Sequence, residues 1–482
     1  MEVLIPILVL CLIIFLILVI SVFTALPYET EDSGIIKFVK QWSVAITDTL
    51  GTILVKLGEH FWLYVPLGII GLWRWITWGV KKTCAEYYKP IEVPPDHFFK
   101  SSLCIITPVY NENPEIFREA LSSWEANSPD EVIAVIDASD TNCIEEFEQF
   151  SKNKEWIKLL ITPKRGKREA IVDGILASNS KIVALVDSDT IWAADIKKNL
   201  LAPFTDPSIA GVTPRNHPLQ RGSIWQKLTD ILWDMRNYLD LPSQTAMGSA
   251  LTCLTGRTSL YRRDVLLPKL DEFLNEILLG KRKESGEDKC FTRLVQREGW
   301  KTYYQETAVI YSAAAVDFKT FLSQRLRWTR NSHNSDLASL LEGWAWRHPY
   351  LAFYMIDRFI STFTLFLGPI FFGFAIYLNQ WVVAGAILCL WIVGRGIKII
   401  PHLRRRPNDI FLVPVFVAIN FLMAIIRLYA LVTIREQKWI REYNHKKKRT
   451  GNVQLAFRNT KDMILTGEVI TGLVFLVMFI LK

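Results

Sequence analysis

Polar and apolar positions alternate in three different rhythms along the chain. Residues 3–26 form an uninterrupted apolar run without a charge. A run of about 20 such residues crosses a bilayer, and this one is too long, and lacks the basic start, of a cleaved leader. Ile35, Phe38, Val39, Trp42, Ile46 and Leu50 then recur at helical spacing and predict a helix lying in the membrane interface. A second span is read at 61–80, with Arg74 and several Trp suited to an interface. From 103 the rhythm changes. Short apolar runs at 103–107 (LCIIT), 131–137 (EVIAVID), 156–161 (WIKLLI), 181–187 (KIVALVD) and 209–214 (IAGVTP) predict strands, and 115–126 and 167–178 predict helices between them. Strands alternating with helices imply an α/β domain on a mostly parallel, doubly wound sheet, whose ligand sits at the carboxyl ends of the strands. Apolar spans return at 351–378, 381–400, 410–434 and 464–481. The chain therefore divides into an N-terminal membrane region (1–100), a soluble domain (101–335) and a C-terminal region of interfacial and membrane helices (336–482).

Charge adds sidedness. The net charge of +8 would suit nucleic acid, but the Lys and Arg cluster beside apolar blocks, where a membrane surface explains them and no nucleic-acid partner is needed. Lys81, Lys82 and Lys89 follow the second span, which puts the soluble domain in the cytosol, while the acidic stretch from Tyr28 to Ser33 fits outside. Arg404–Arg406 and the basic stretch from Arg435 to Arg449 flank 410–434 on both sides. With Pro414 and Arg427 inside it, that segment is read as re-entrant in preference to a crossing, which gives five spans; a crossing gives six. The seven cysteines show no paired spacing, and reduced cytosolic thiols are the simplest reading.

The candidate chemistry lies in acids at predicted strand ends. Asp137 closes one strand, and Asp187 and Asp189 follow another as D-S-D. No GxGxxG or GxxxxGK[ST] occurs, so neither dinucleotide nor P-loop chemistry is favoured. Two carboxylates one residue apart can face one hard divalent ion, Mg²⁺ or Mn²⁺, which normally bridges to phosphates. An isolated D-x-D is weak; its place directly after the apolar strand IVALV strengthens it.

Several motifs then fall in register: TPVYNEN (107–113), VIDASD (135–140), KRGKREA (164–170), VDSDT (186–190), TGRTSLYRRDVL (255–266), SGEDK (285–289), QRLRW (324–328) and RLYALVTIREQKW (427–439). In this order they resemble the processive family 2 glycosyltransferases, most closely the hyaluronan synthases, and cellulose and chitin synthases share the general plan. The resemblance implies a Rossmann-like nucleotide-diphospho-sugar transferase domain between membrane helices. Asp137 and Asp140 would bind uracil and ribose, with Tyr110 near the base; a turn with a helix-capping Asp is the rival reading. Lys164 and Lys167 would meet the diphosphate, with a solvated basic face as the alternative. Asp187 would contact the nucleotide and Asp189 the metal. Asp288 resembles the family's catalytic base, within Gly286-Glu287-Asp288-Lys289 where hyaluronan synthases usually show Gly-Asp-Asp-Arg. Gln324, Arg327 and Trp328 would hold the diphosphate and the acceptor sugar, and Cys253 would line the acceptor site. Closure over the diphosphate falls to Trp439 and to Arg441 or Arg435; the family's Trp-Gly-Thr-Arg is here Trp439-Ile440-Arg441-Glu442.

The activity so implied is an inverting, metal-dependent and processive transfer from UDP-sugars, UDP-GlcNAc and UDP-glucuronate for a hyaluronan product, onto a growing polysaccharide. That polymer would leave through the protein's own channel in the cell (plasma) membrane. Trp344, Trp346, His348, Asp357 and Arg358 are expected at its entrance. A single-sugar polymerase of cellulose or chitin type is the main rival. A transferase to a lipid acceptor and an inactive membrane scaffold are weaker ones.

Overall fold

A computed structural model describes residues 61–92, 101–163, 166–278 and 280–436. The run at 3–26, the interfacial helix, the span at 464–481, Lys164, Trp439 and Arg441 lie outside the described residues.

The soluble domain is built on one eight-stranded sheet in the order β3-β2-β1-β4-β7-β6-β10-β5. Its parallel half comprises β1 (Leu103–Val109), β2 (Glu131–Asp137), β3 (Ile157–Thr162) and β4 (Ile182–Val186). Burial alternates along β1. Leu103 and Ile105 pack into a cluster with Phe117, Trp124 and Phe147, whereas Cys104 and Ile106 pack into another with Ile171, Ile175 and Phe291. A strand covered on both faces reads as a continuous apolar run, which is why the sequence reveals these strands readily. Helices α2 (Pro114–Glu125) and α3 (Thr141–Ser151) supply the first cover and α4 (Lys167–Ala177) the second. Asn113 caps α2, its side chain accepting from the amides of Glu115 (2.8 Å) and Ile116 (3.3 Å), with Pro114 in the first turn where its missing N–H costs nothing. At Gly174 any Cβ would stand 2.3 Å from Ile106, so α4 lies flat on the sheet only because that position is glycine.

The other half is mixed. β7 (Thr258–Arg262) runs antiparallel to both β4 and β6 (Ile209–Pro218), and β5 (Thr190–Trp192) runs antiparallel to β10 (Lys301–Ser312). A two-stranded hairpin, β8 (Ile277–Leu278) with β9 (Lys281–Arg282), precedes the helix α6 (Glu287–Arg297). The order 3-2-1-4 reverses between β1 and β4, and the crevice outside their carboxyl ends is the expected ligand position.

The apolar helices gather around this domain. α1 (Phe61–Glu86) is 26 residues long. Among the described residues, three stretches are long and apolar enough to cross a membrane: α8 (Pro349–Tyr377), α9 (Trp381–Lys398) and residues 407–432, which end in α10 (Val413–Val432). Asp357 of α8 ties α1 to α8 through Arg74 (2.8 Å) and Lys81 (2.7 Å). α10 is unbroken. Pro414 falls in its first turn, where proline fits, and Arg427 donates to Ser361 of α8 at 3.0 Å. Neither residue interrupts the helix as a re-entrant turn would.

Two contacts join the domain to these helices. α5 (Ile224–Met235) shares an apolar cluster with Val413 and Phe416 of α10. α7 (Phe318–Leu341) lies along α10, with Leu326 packed on Ile426, Tyr429 and Ala430, and Arg330 donating to Thr433 at 2.7 Å.

Candidate active site

β4 ends on Val186, and Asp187 and Asp189 follow in a turn closed by the Thr190 amide on the Asp187 carbonyl at 3.1 Å. Both side chains are half-buried on one cavity of about 1350 Å³. The first residue of α4, Lys167, reaches that turn and ion-pairs with Asp187 (2.7 Å) and Glu287 (2.5 Å). Burial alone would lower the Lys167 pKa; the two carboxylates overcome it and raise it, so the ammonium stays charged.

Glu287 and Asp288 open α6, and Gly286 before them has φ +85°, a left-handed conformation that glycine adopts without strain. Its Cα faces Asn331, which would lie 3.1 Å from a Cβ. The two carboxylates differ sharply. Burial pushes Glu287 up, but Lys167 wins and holds it below the usual range. Asp288 is raised, first by burial and then by the neighbouring Glu287 charge. A buried carboxylate with a raised pKa is suited to take a proton. Cys253 lies beside it, its thiol pushed up by burial and by Asp288, and so it is a neutral lining group.

α7 forms the opposite wall with Gln324, Arg327 and Trp328. Arg327 lies on the side of Glu287, whose carboxylate feels its charge. Trp328 lies 5.3 Å from the Arg257 guanidinium and 5.0 Å from that of Arg325. The cavity runs on to Tyr429 of α10 and to Tyr354 and Arg358, two turns inside α8.

The structure thus brings Tyr110, Asp137, Lys167, Asp187, Asp189, Cys253, Asp288, Gln324, Arg327 and Trp328 around one cavity. Asp140 is placed differently. It caps α3, accepting from the Cys143 amide at 3.4 Å, and also accepts from the Asn111 amide at 2.6 Å; it is not among the cavity-lining residues. Of the residues expected at a channel entrance, only Arg358 lines the cavity. Asp357 faces α1, Trp344 is buried with Ala250, Leu351 and Met355, and Trp346 is exposed, its indole donating to the Leu340 carbonyl.

Sequence reasoning missed several site residues. Arg257 is half-buried beside Asp187, Asp189 and Asp288 and stacks 4.3 Å from Trp233. Arg236 donates to the Cys253 carbonyl at 2.6 Å. Lys289 ion-pairs with the fully buried Asp336 of α7 (2.8 Å), which also holds Arg358 (2.7 Å). Arg257 sits inside a motif already recognised, so its position was visible and its role was not. A second acidic group, His217, Asp230 and Asp234, converges at the end of β6 with its ligand atoms within 4.8 Å of one another. Arg405 pairs with both acids (2.5 and 2.6 Å), Arg221 pairs with Asp230 (2.6 Å), and His402 bridges Asp234 and Asp409 at 2.7 and 2.8 Å. Side-chain cations already meet each of these carboxylates, so the cluster serves as an ion network between α5 and residues 400–409 better than as a metal centre.

Residues 102–331 match the family model described as "Glycosyltransferase like family 2". The chain carries a family 2 glycosyltransferase domain. Over 400 residues the chain is 26% identical to the hyaluronan synthase of Streptococcus pyogenes, covering 80% of this chain and 94% of that one. It is also 26% identical over 400 residues to a type 2 glycosyltransferase of Zymoseptoria tritici, covering 79% and 83%. Among solved structures, a mannosyltransferase from Pyrobaculum calidifontis in complex with GDP-Man and Mn²⁺ superposes with a TM-score of 0.51 at 17% identity, over 75% of this chain and 96% of that one. That likeness concerns the fold. The matched region ends within α7, just past Trp328, and so includes Asp137, Asp187, Asp189, Glu287 and Asp288 of the cavity.

Proposed function

We propose that the protein is a membrane-embedded, inverting and processive glycosyltransferase that polymerises UDP-activated sugars and passes the polymer through its own membrane helices. One observation carries the reading: a single cavity joins the strand-end acids Asp187 and Asp189, the half-buried Asp288, the Gln324–Trp328 wall and the first turns of an apolar helix at Tyr354 and Arg358. A transferase releasing its product to solvent has no need for the last part.

In this reading Tyr110 and Asp137 hold the nucleoside, and Lys167 and Arg327 hold the diphosphate. The acceptor hydroxyl stands between Asp288 and the anomeric carbon. As its oxygen bonds to that carbon, the bond from carbon to the diphosphate oxygen breaks, UDP leaves, and the hydroxyl proton passes to the Asp288 carboxylate. No covalent enzyme intermediate is needed, consistent with a neutral Cys253 thiol. The hard oxygen donors of Asp189 and of Asp187, one of whose oxygens faces Lys167, fit Mg²⁺ or Mn²⁺, which would supply charge that neutralises the leaving diphosphate. Asp140 contributes indirectly, by fixing the loop after Tyr110. The domain faces the cytosol of a plasma membrane, as the basic residues after α1 suggest.

Donor identity is decided by supplying labelled UDP-GlcNAc, UDP-glucuronate and UDP-glucose to protein-containing membranes, singly and in pairs, with either metal. High-mass product requiring the first two together is expected. Product from one donor alone would overturn the two-sugar reading in favour of a single-sugar polymerase.

A further inference from the structure

Trp328 belongs to a continuous ladder in which rings and guanidinium groups alternate. Trp233 stacks on Arg257 (4.3 Å), Arg257 on Trp328 (5.3 Å), Trp328 on Arg325 (5.0 Å) and Arg325 on Phe321 (5.1 Å). Arg257 has acids in range, namely Asp187, Asp189 and Asp288. Arg325 has none: among the described residues no carboxylate lies within ion-pair distance, and the charge it feels is that of Arg257. Its Nε and Nη2 are buried and make no hydrogen bond. These two nitrogens share one edge of the guanidinium, where their N–H bonds run parallel and form the fork that accepts a carboxylate through both oxygens. Leaving a buried cation with its fork unused is costly, and the residue lines the cavity.

We propose that Arg325, assisted by Arg257, is a subsite for the carboxylate of a uronic-acid residue on the acceptor side of the cavity. Rotation about the Arg325 side-chain torsions presents the fork to a sugar seated at Trp328. The anion so held is not the leaving diphosphate. Two positions along a helix are about 200° apart, so Arg327 turns toward Glu287 and Lys167 while Arg325 turns toward Trp328 and Arg257. The group belongs to a sugar whose hydroxyl can meet Asp288, which is the acceptor. The inference rests on the polymerase reading above and names the class of chain that the same site holds.

The test uses full-length protein in lipid nanodiscs and two probes: a tetrasaccharide containing uronic acid, and the same tetrasaccharide with its carboxylates methyl-esterified. Calorimetric binding is measured for wild type, Arg325→Gln and Arg325→Lys, with UDP binding as the control for folding. Wild type binds the acid at least about tenfold more tightly than the ester. Arg325→Gln brings the acid to the ester's affinity while UDP affinity holds, and Arg325→Lys, which keeps the charge without the fork, recovers part of the difference. Equal affinity of wild type for acid and ester, or equal weakening of both by Arg325→Gln, would overturn the proposal. The two readings fail separately. An acid preference without any sugar transfer removes the polymerase reading and keeps the carboxylate subsite, and transfer without an acid preference does the reverse.

Discussion

Residue by residue, the site works through unequal carboxylates. Glu287 and Asp288 are adjacent, yet Lys167 holds the first below the usual carboxylate range while burial and Glu287 raise the second, which suits Asp288 to the proposed role of base. Asp288→Asn should lower transfer by about 10²–10⁴-fold while UDP binding, read by calorimetry, stays within a factor of two or so. A raised pKa means that Asp288 is active as a base only above that pKa, and the rate falls as pH drops through it. Glu287→Gln removes the like charge and frees Lys167 to attract Asp288; both effects lower the Asp288 pKa. The acid limb of a kcat/KM profile should therefore move to lower pH, and an unmoved limb would count against Asp288 as the base. The strand-end acids Asp137 and Asp187 were legible in the sequence because an apolar run ending in a charge marks the carboxyl edge of a parallel strand. Asp140 was ambiguous because capping a helix and binding a nucleoside call for the same side chain in the same turn. Arg257 and Arg325 could not be weighed at all, since their meaning lies in one another and in Trp328, and no local pattern records that.

At the scale of elements, the turn into α6 sets the position of Asp288, the proposed base. Gly286 combines a positive φ with a neighbour 3.1 Å from where its Cβ would be. Gly286→Ala should cost about 1–3 kcal/mol, seen as a lower Tm, and should slow transfer beyond what the lost stability explains. The sequence revealed β1, β2, β4 and the first half of β6, whose residues are buried nearly throughout, and also the edge strand β3, which is apolar but only partly buried. β7, β10 and β5 escaped notice because TSLYR and KTYYQETAVIYS mix polar and aromatic residues, and their pairing is decided by distant strands. The mostly parallel sheet expected from βα alternation forms, with four parallel pairings out of seven, and β7 and β5 supply the three antiparallel ones. α10 shows the opposite case: its apolar run was plain, but proline and arginine inside it suggested re-entry, whereas the helix is continuous, with the proline in its first turn and the arginine on Ser361.

Among the described residues, charges tie the domain to the apolar helices. Lys289, Asp336 and Arg358 connect α6, which carries Asp288, through α7 to α8, and Asp357 connects α8 to α1. Removing one member of such a set leaves its partners uncompensated, so Asp357→Asn should destabilise the protein by about 3 kcal/mol, measurable as earlier thermal unfolding in detergent. Asp336→Asn should both destabilise the protein and reduce transfer, because its break falls between the site and the membrane helices. The docking of α7 along α10 has a further consequence. The helix that positions Trp328 packs along one long and apolar enough to cross a membrane, and a membrane-spanning helix can adjust its tilt to the lipid thickness. Turnover in vesicles should therefore vary with acyl-chain length and pass through an optimum, which makes the lipid itself a setting on the catalytic machinery.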